Sequence, residues 1–263
     1  MPPDGAQPRL LTIPISHYCE KARWALERAR IDYREEPHVQ LVHRLVAMRT
    51  GAGRKVPILV TGDGALAESA AIVRWADGGL EPEQRLVWDA DEAEITRLER
   101  GFDESFGVES RRWVYASVIG TEIPLRFGHE TLPGWERRLL PLGMPVLKLY
   151  AARVLDAAPG EAAAALANVE RTFDDVAERI SDGRRFLVGD RFSAADLAFA
   201  ALSAPILAPE HYGARLPQPP DMPGEMAATV IRLREHPAGR FAMRVTAEER
   251  PWPPRNTTAQ AIL

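Results

Sequence analysis

Ser16 and Cys19 stand three residues apart in "PISHYCEKARWAL", where a short apolar run gives way to helical periodicity. Two chemistries fit each of them. A serine at a helix start can accept hydrogen bonds from backbone N–H groups of the first turn, or its hydroxyl can donate to a bound sulfur. A cysteine in the first turn can be a nucleophilic thiol, because a helix start lowers thiol pKa values, or a small side chain packed inward. Cys19 is the only cysteine, so no internal disulfide can form. Further along, "KVPIL" places Lys55 beside Val56-Pro57, and a proline there removes a backbone donor and admits a cis peptide bond. It can also simply open an edge strand. In "ESAAIVRW", Glu68 precedes Ser69, which heads a helix whose free N–H groups and positive pole suit a carboxylate. Ser69 can equally serve as an N-cap alone. Lys55, taken by itself, reads as a solvated surface lysine.

The elements that must position these residues can be read from periodicity. "LLTIPI" is strand-like, and "EKARWALERAR" carries Ala22, Leu26 and Ala29 on one helical face. "DYREEPHV" reads as a second strand, 40–49 as a helix, and "VPILV" as a buried strand. "ALAE" follows as a shorter strand after the "TGDG" turn, and Ser69 to Asp77 close the unit as a helix. The order βαβαββα predicts a mixed sheet, parallel in its first unit and antiparallel in its last hairpin. From about residue 88 the pattern becomes helical. Ile95, Leu98, Phe102 and Phe106 recur every three or four residues, as do Leu166, Val169, Phe173, Val176 and Ile180. "RFSAADLAFAAL" is marked by Ser193 and Asp196 as a capping box, with Phe192 able to staple onto Leu197. The expected division is a sheet domain over 1–80, a linker over 81–87, a helical domain over 88–250 and a loosely ordered tail over 251–263. The proline-rich region "IPLRFGHETLPGWERRLLPLGMP" exceeds a minimal inter-helix connection and reads as a lid or an interface.

Composition narrows the function. The chain has 263 residues, 46% hydrophobic and 27% charged, which suits a globular protein with a buried core. Its 33 Lys plus Arg against 37 Asp plus Glu leave a formal charge of −4, with no positive field for nucleic acid. No apolar stretch is long enough to span a bilayer or to act as a secretory signal, so a cytoplasmic protein is expected.

Four motifs, "SHYCEKAR", "KVPIL", "ESAAIVRW" and "FLVGDRFSAADLAFA", together resemble the cytosolic glutathione S-transferase superfamily, in that order and across about residues 10–245. The resemblance implies a thioredoxin-like α/β N-terminal domain followed by an all-α helical bundle. It implies glutathione as co-substrate and no metal. Ser16 would donate to the glutathione sulfur and favour thiolate, Val56 would pair with the cysteinyl backbone, and Glu68 and Ser69 would grip the γ-glutamyl end. Lys55 would meet the glycine carboxylate, with Arg49 and His43 as possible helpers. The second substrate would be a small apolar electrophile bound between the domains along 104–115, where Trp113 and Tyr115 are candidates for either pocket or core. A homodimer is implied as well. Two departures from the family pattern stand out: His17 replaces a frequent proline, and "TGAGR" replaces an Asn-Pro. Arg23 is expected to pair with a carboxylate near the domain junction, and Asp196 to cap a helix. Two other activities remain open: a thiol-disulfide oxidoreductase acting through Cys19, and a non-catalytic binding protein of the same fold.

Overall fold

The computed structural model describes residues 7–154 and 159–253. Most of the expected tail, 254–263, lies outside the described residues. The sheet half follows the expected order: β1 (Arg9–Thr12), α1 (His17–Arg28), β2 (Arg34–Pro37), α2 (Val42–Arg49), β3 (Ile58–Thr61), β4 (Gly64–Ala67) and α3 (Ser69–Asp77). The sheet order is β2-β1-β3-β4. β1 runs parallel to β2 and antiparallel to β3, and β3 and β4 form the antiparallel hairpin. Each strand spans only four residues, so β1 and β3 are shorter than the apolar runs that announce them. Pro14 and Pro57 contribute to this, since a proline cannot donate to a ladder.

The register decides where the site must lie. Leu11 faces Ile58 and Ile58 faces Ala67, so the end of β1, the start of β3 and the end of β4 meet at one edge of the sheet. Ser16 follows β1, Val56-Pro57 precedes β3, and Glu68-Ser69 follows β4. All three motifs therefore converge there, and the N-termini of α1 and α3 open at the same edge.

The helical half consists of α4 (Glu92–Gly101), α5 (Gly107–Val118), α6 (Ile123–Arg126), α7 (Gly134–Val154), α8 (Ala162–Arg179), α9 (Ala194–Leu207), α10 (Gly224–Glu235) and α11 (Pro237–Glu249). A short 3-10 turn, Pro82–Gln84, lies in the connection from the sheet half. A π-helical stretch, Phe102–Phe106, joins α4 to α5, a feature that the regular spacing of Ile95, Leu98, Phe102 and Phe106 does not reveal. α9 is apolar on nearly every side and is correspondingly buried. Ser193 and Asp196 form the expected capping box at its start, and Phe192 and Leu197 lie in the same buried cluster. α9 packs against α1, α4, α5 and α11. Phe102, Phe106 and Phe173 each lie within 6 Å of the Phe199 ring on α9. One continuous core thus links the two halves. Among the described residues no helix is long and apolar enough to cross a membrane.

Candidate functional site

α1 sets the position of Ser16, and its sequence makes it an unusual helix. Its side chains Glu20, Lys21, Arg23 and Glu27 are all buried although they are charged. Charged groups are tolerated in an interior only when paired and hydrogen-bonded. Arg23 meets Glu35 of β2 at 2.6 Å and Glu20 at 3.2 Å, while Glu20 meets Arg250 at 2.8 Å and accepts the Gly213 N–H at 3.0 Å. Lys21 reaches Glu99 at 2.9 Å and Asp103 at 2.6 Å. Burial alone would raise the Glu20 pKa, but Arg250 and Arg23 outweigh it and hold the carboxyl below its usual range. The expected structural role of Arg23 is what the structure shows: it ties the helix to β2 from within.

Ser16 is half-buried and caps α1 with extended backbone, φ −74° and ψ 121°. Its hydroxyl oxygen accepts from the Cys19 N–H at 3.4 Å, a long bond. The residue before it is clamped: the Tyr212 hydroxyl donates to the Ile15 carbonyl at 2.9 Å. His17 is buried, and its Nε2 donates to the Gly107 carbonyl at 2.8 Å. Burial, partly opposed by that bond and aided by Arg111, lowers its pKa to about 3, so the ring is neutral. His17 thus serves as a dock between α1 and α5. Gly107 makes that contact close, because a Cβ there would sit 2.6 Å from the Tyr18 hydroxyl oxygen.

Cys19 is fully buried. Burial raises its thiol to about 11, against opposing effects from Arg23, Ser16 and the Ile13 backbone. At pH 7 only on the order of one thiol in ten thousand would be ionised. The inward-packed reading of Cys19 is therefore the one the structure bears out.

At the opposite side of the same sheet edge, the Val56–Pro57 peptide bond is cis. Val56 is half-buried and Lys55 is exposed. Glu68 is exposed and adopts φ +72°, a left-handed conformation that costs a non-glycine residue on the order of 1–3 kcal/mol. Ser69 is buried at the first position of α3, and its hydroxyl makes no hydrogen bond among the described residues. Two helix starts, two serines and a cis X-Pro bond thus frame one edge, an arrangement suited to an anionic group of a small molecule.

Several residues fall elsewhere. His43 is buried, and burial lowers its pKa to about 4, whereas Arg49 is exposed. Trp113 belongs to the core, while Tyr115 is half-buried against Ile119 and Met144. Sequence reasoning missed Tyr212, because it lies in a loop without periodicity. It also missed Arg111, which shares a helix face with Gly107 and Tyr115 at i, i+4 and i+8. Arg111 is half-buried and pairs with no carboxylate among the described residues. The same residues contain no group of side chains suited to a metal ion.

Comparison with known proteins agrees with this fold. Residues 10–82 match the model of the glutathione S-transferase N-terminal domain, and residues 159–208 that of the glutathione S-transferase C-terminal domain. No curated protein sequence matches. Similar solved structures include a glutathione S-transferase from Methylobacillus flagellatus with glutathione bound, at 18% identity and a TM-score of 0.52, over 90% of this chain and 98% of that one. A glutathione S-transferase from Xanthobacter autotrophicus aligns at 18% identity and a TM-score of 0.57, over 98% and 100% of the two chains. The beta-etherase LigF from Sphingobium aligns at 17% identity and a TM-score of 0.56, over 91% and 99%. At these identities the likeness concerns the fold.

Proposed function

The chain belongs to the glutathione S-transferase superfamily, and from that premise we propose that it is a glutathione-dependent transferase acting on a small apolar electrophile. The observation that carries this reading is the convergence of Ser16, the cis Val56–Pro57 bond and Glu68-Ser69 at one sheet edge. Glutathione would lie along that edge, its γ-glutamyl carboxylate at Ser69 and the α3 N-terminus, its ammonium near Glu68, and its cysteinyl backbone against Val56. Lys55 would receive the glycine carboxylate. The sheet domain to residue 80 would supply this site. Beyond the linker over 81–87, the helical domain over 88–250 would supply the second-substrate wall.

Ser16 is the catalytic residue of this proposal. Its hydroxyl would donate to the glutathione sulfur, and the α1 N-terminus would add a favourable field. Lowering a thiol pKa by about two units from 8.5 corresponds to roughly 2.7 kcal/mol and leaves most of it ionised at pH 7. The thiol proton passes to solvent. The thiolate then attacks the electrophilic carbon, forming a C–S bond as the leaving group departs with its electron pair. A cytoplasmic homodimer with a detoxifying role is the setting this reading implies.

Initial-rate assays with glutathione and a panel of electrophiles test it. Ser16→Ala should lower turnover by about a hundredfold, the scale of removing a donor to a developing anion. Cys19→Ala should retain activity. Loss with Cys19→Ala alone would transfer the chemistry to that thiol, and a glutathione dissociation constant weaker than about 10 mM would reject both enzymatic readings.

A further inference from the structure

α7 lies in the region that reads from sequence as a lid or an interface, and it carries two apolar stripes. Leu140, Met144, Leu147 and Ala151 face inward and pack with Tyr115 and Ile119 of α5. Trp135, Leu139, Leu142, Val146 and Leu149 face outward. Leu142 is 78% exposed and the other four lie between 51% and 58%. Their spacing of 4, 3, 4 and 3 residues places them on one side of the helix, within an arc of about 80°. Five large apolar side chains in one exposed line are more than the scattered surface leucines of an ordinary soluble protein.

The charges of α7 indicate what covers this stripe. Arg137, Arg138, Lys148 and Arg153 are exposed, and none forms an ion pair among the described residues. The single acidic residue of the helix, Glu136, is buried and engaged by His38 at 2.6 Å and the Val39 N–H at 2.7 Å. The helix therefore presents four cations and no anion on a chain whose overall formal charge is −4. The adjoining α2, tied to α7 through Arg44 and Tyr150, adds the exposed Leu45, Met48 and Arg49. Arg138 borders the outward stripe and Arg153 continues it, so two-fold pairing through that stripe would bring basic side chains into the interface with no exposed anion of α7 to meet them. A tryptophan and leucines flanked by arginine and lysine match the needs of a helix lying in the headgroup region of an anionic bilayer.

We propose that α7 docks this protein on anionic membrane surfaces, lying flat with its outward stripe at the acyl margin and its cations against the headgroups. This association is peripheral and needs no spanning segment. It does not depend on the reading of Ser16.

Co-sedimentation of the full chain with vesicles tests it. Binding is expected to vesicles of phosphatidylcholine containing about one-third phosphatidylglycerol, to be weak with phosphatidylcholine alone, and to fall as salt rises. Leu139→Gln/Leu142→Gln should abolish it. Arg138→Gln/Arg153→Gln, at the two cations on the side of the stripe, should weaken it by about 25-fold, at roughly fivefold for each cation. Both substitutions are on exposed positions, and circular dichroism with an unchanged melting temperature establishes that the variants fold. Absence of binding to the mixed vesicles, or binding unchanged by the apolar double variant, overturns the proposal. So does a wild-type oligomer that dissociates in Leu139→Gln/Leu142→Gln, measured by sedimentation equilibrium, since a second copy would then occupy the face.

Discussion

α1 and α7 invert the usual relation between side-chain type and burial. α1 is rich in charge, yet Glu20, Lys21, Arg23 and Glu27 are all within it and out of solvent. α7 is rich in leucine, yet its outward stripe is open. The difference teaches that a helix's own hydropathy does not determine its depth. α1 is covered by the sheet, α3, α9 and the C-terminal segment, and Glu35 of β2, Arg250 and the Gly213 N–H supply its counter-charges and a backbone donor. α7 meets the body of the protein on one side only.

The largest test of this contrast removes a counter-charge from α1. Glu20→Ala leaves Arg23 and Arg250 short of a partner in a buried setting, and should cost about 3–5 kcal/mol in urea denaturation. A loss below 1 kcal/mol would mean that the network relaxes into solvent.

A smaller effect comes from acid. The folded His17 has a pKa of about 3 against 6.5 when unfolded, so the unfolded chain takes up a proton that the native ring refuses. The His17 contribution is therefore fully present above pH 6.5 and is lost progressively as pH falls toward 3, at about 1.4 kcal/mol per pH unit. His43, held to about 4, adds to the same slope over part of that range. The unfolding free energy from urea titrations should fall on the order of 2 kcal/mol through His17 between pH 7.5 and 5, and His17→Gln should flatten that share.

The smallest effect is expected on α7. Leu142→Gln should change stability by less than about 0.5 kcal/mol, because the side chain is already in water. A larger loss by thermal melting would show that the stripe is covered by a neighbouring copy under the conditions used.

How much of this was legible beforehand follows from the range of the interactions. The order of the seven sheet-half elements is carried by local periodicity and turns, and so is the Ser193–Asp196 cap, whose partners lie three residues apart. The motifs holding Ser16, Val56, Glu68 and Ser69 could be picked out by resemblance, but their convergence required the register of β1, β3 and β4. Contacts across the chain left no local signal. The Tyr212 bond to Ile15 joins residues 197 positions apart, and Arg250 reaches Glu20 over 230. The π-helical stretch was hidden because Phe102 and Phe106 keep an α-like interval while the backbone between them widens.

Gly128 follows α6 with φ +75°, and a Cβ built there would fall 1.8 Å from Cγ2 of Ile15. The bare Cα of this residue therefore rests against the side chain immediately ahead of Ser16, only six positions before α7 begins. A side chain at position 128 would therefore press on the residue beside the serine. Gly128 thus joins the connection into α7 to the sheet edge, beside the contacts that Glu136 makes with His38 and Val39 after β2.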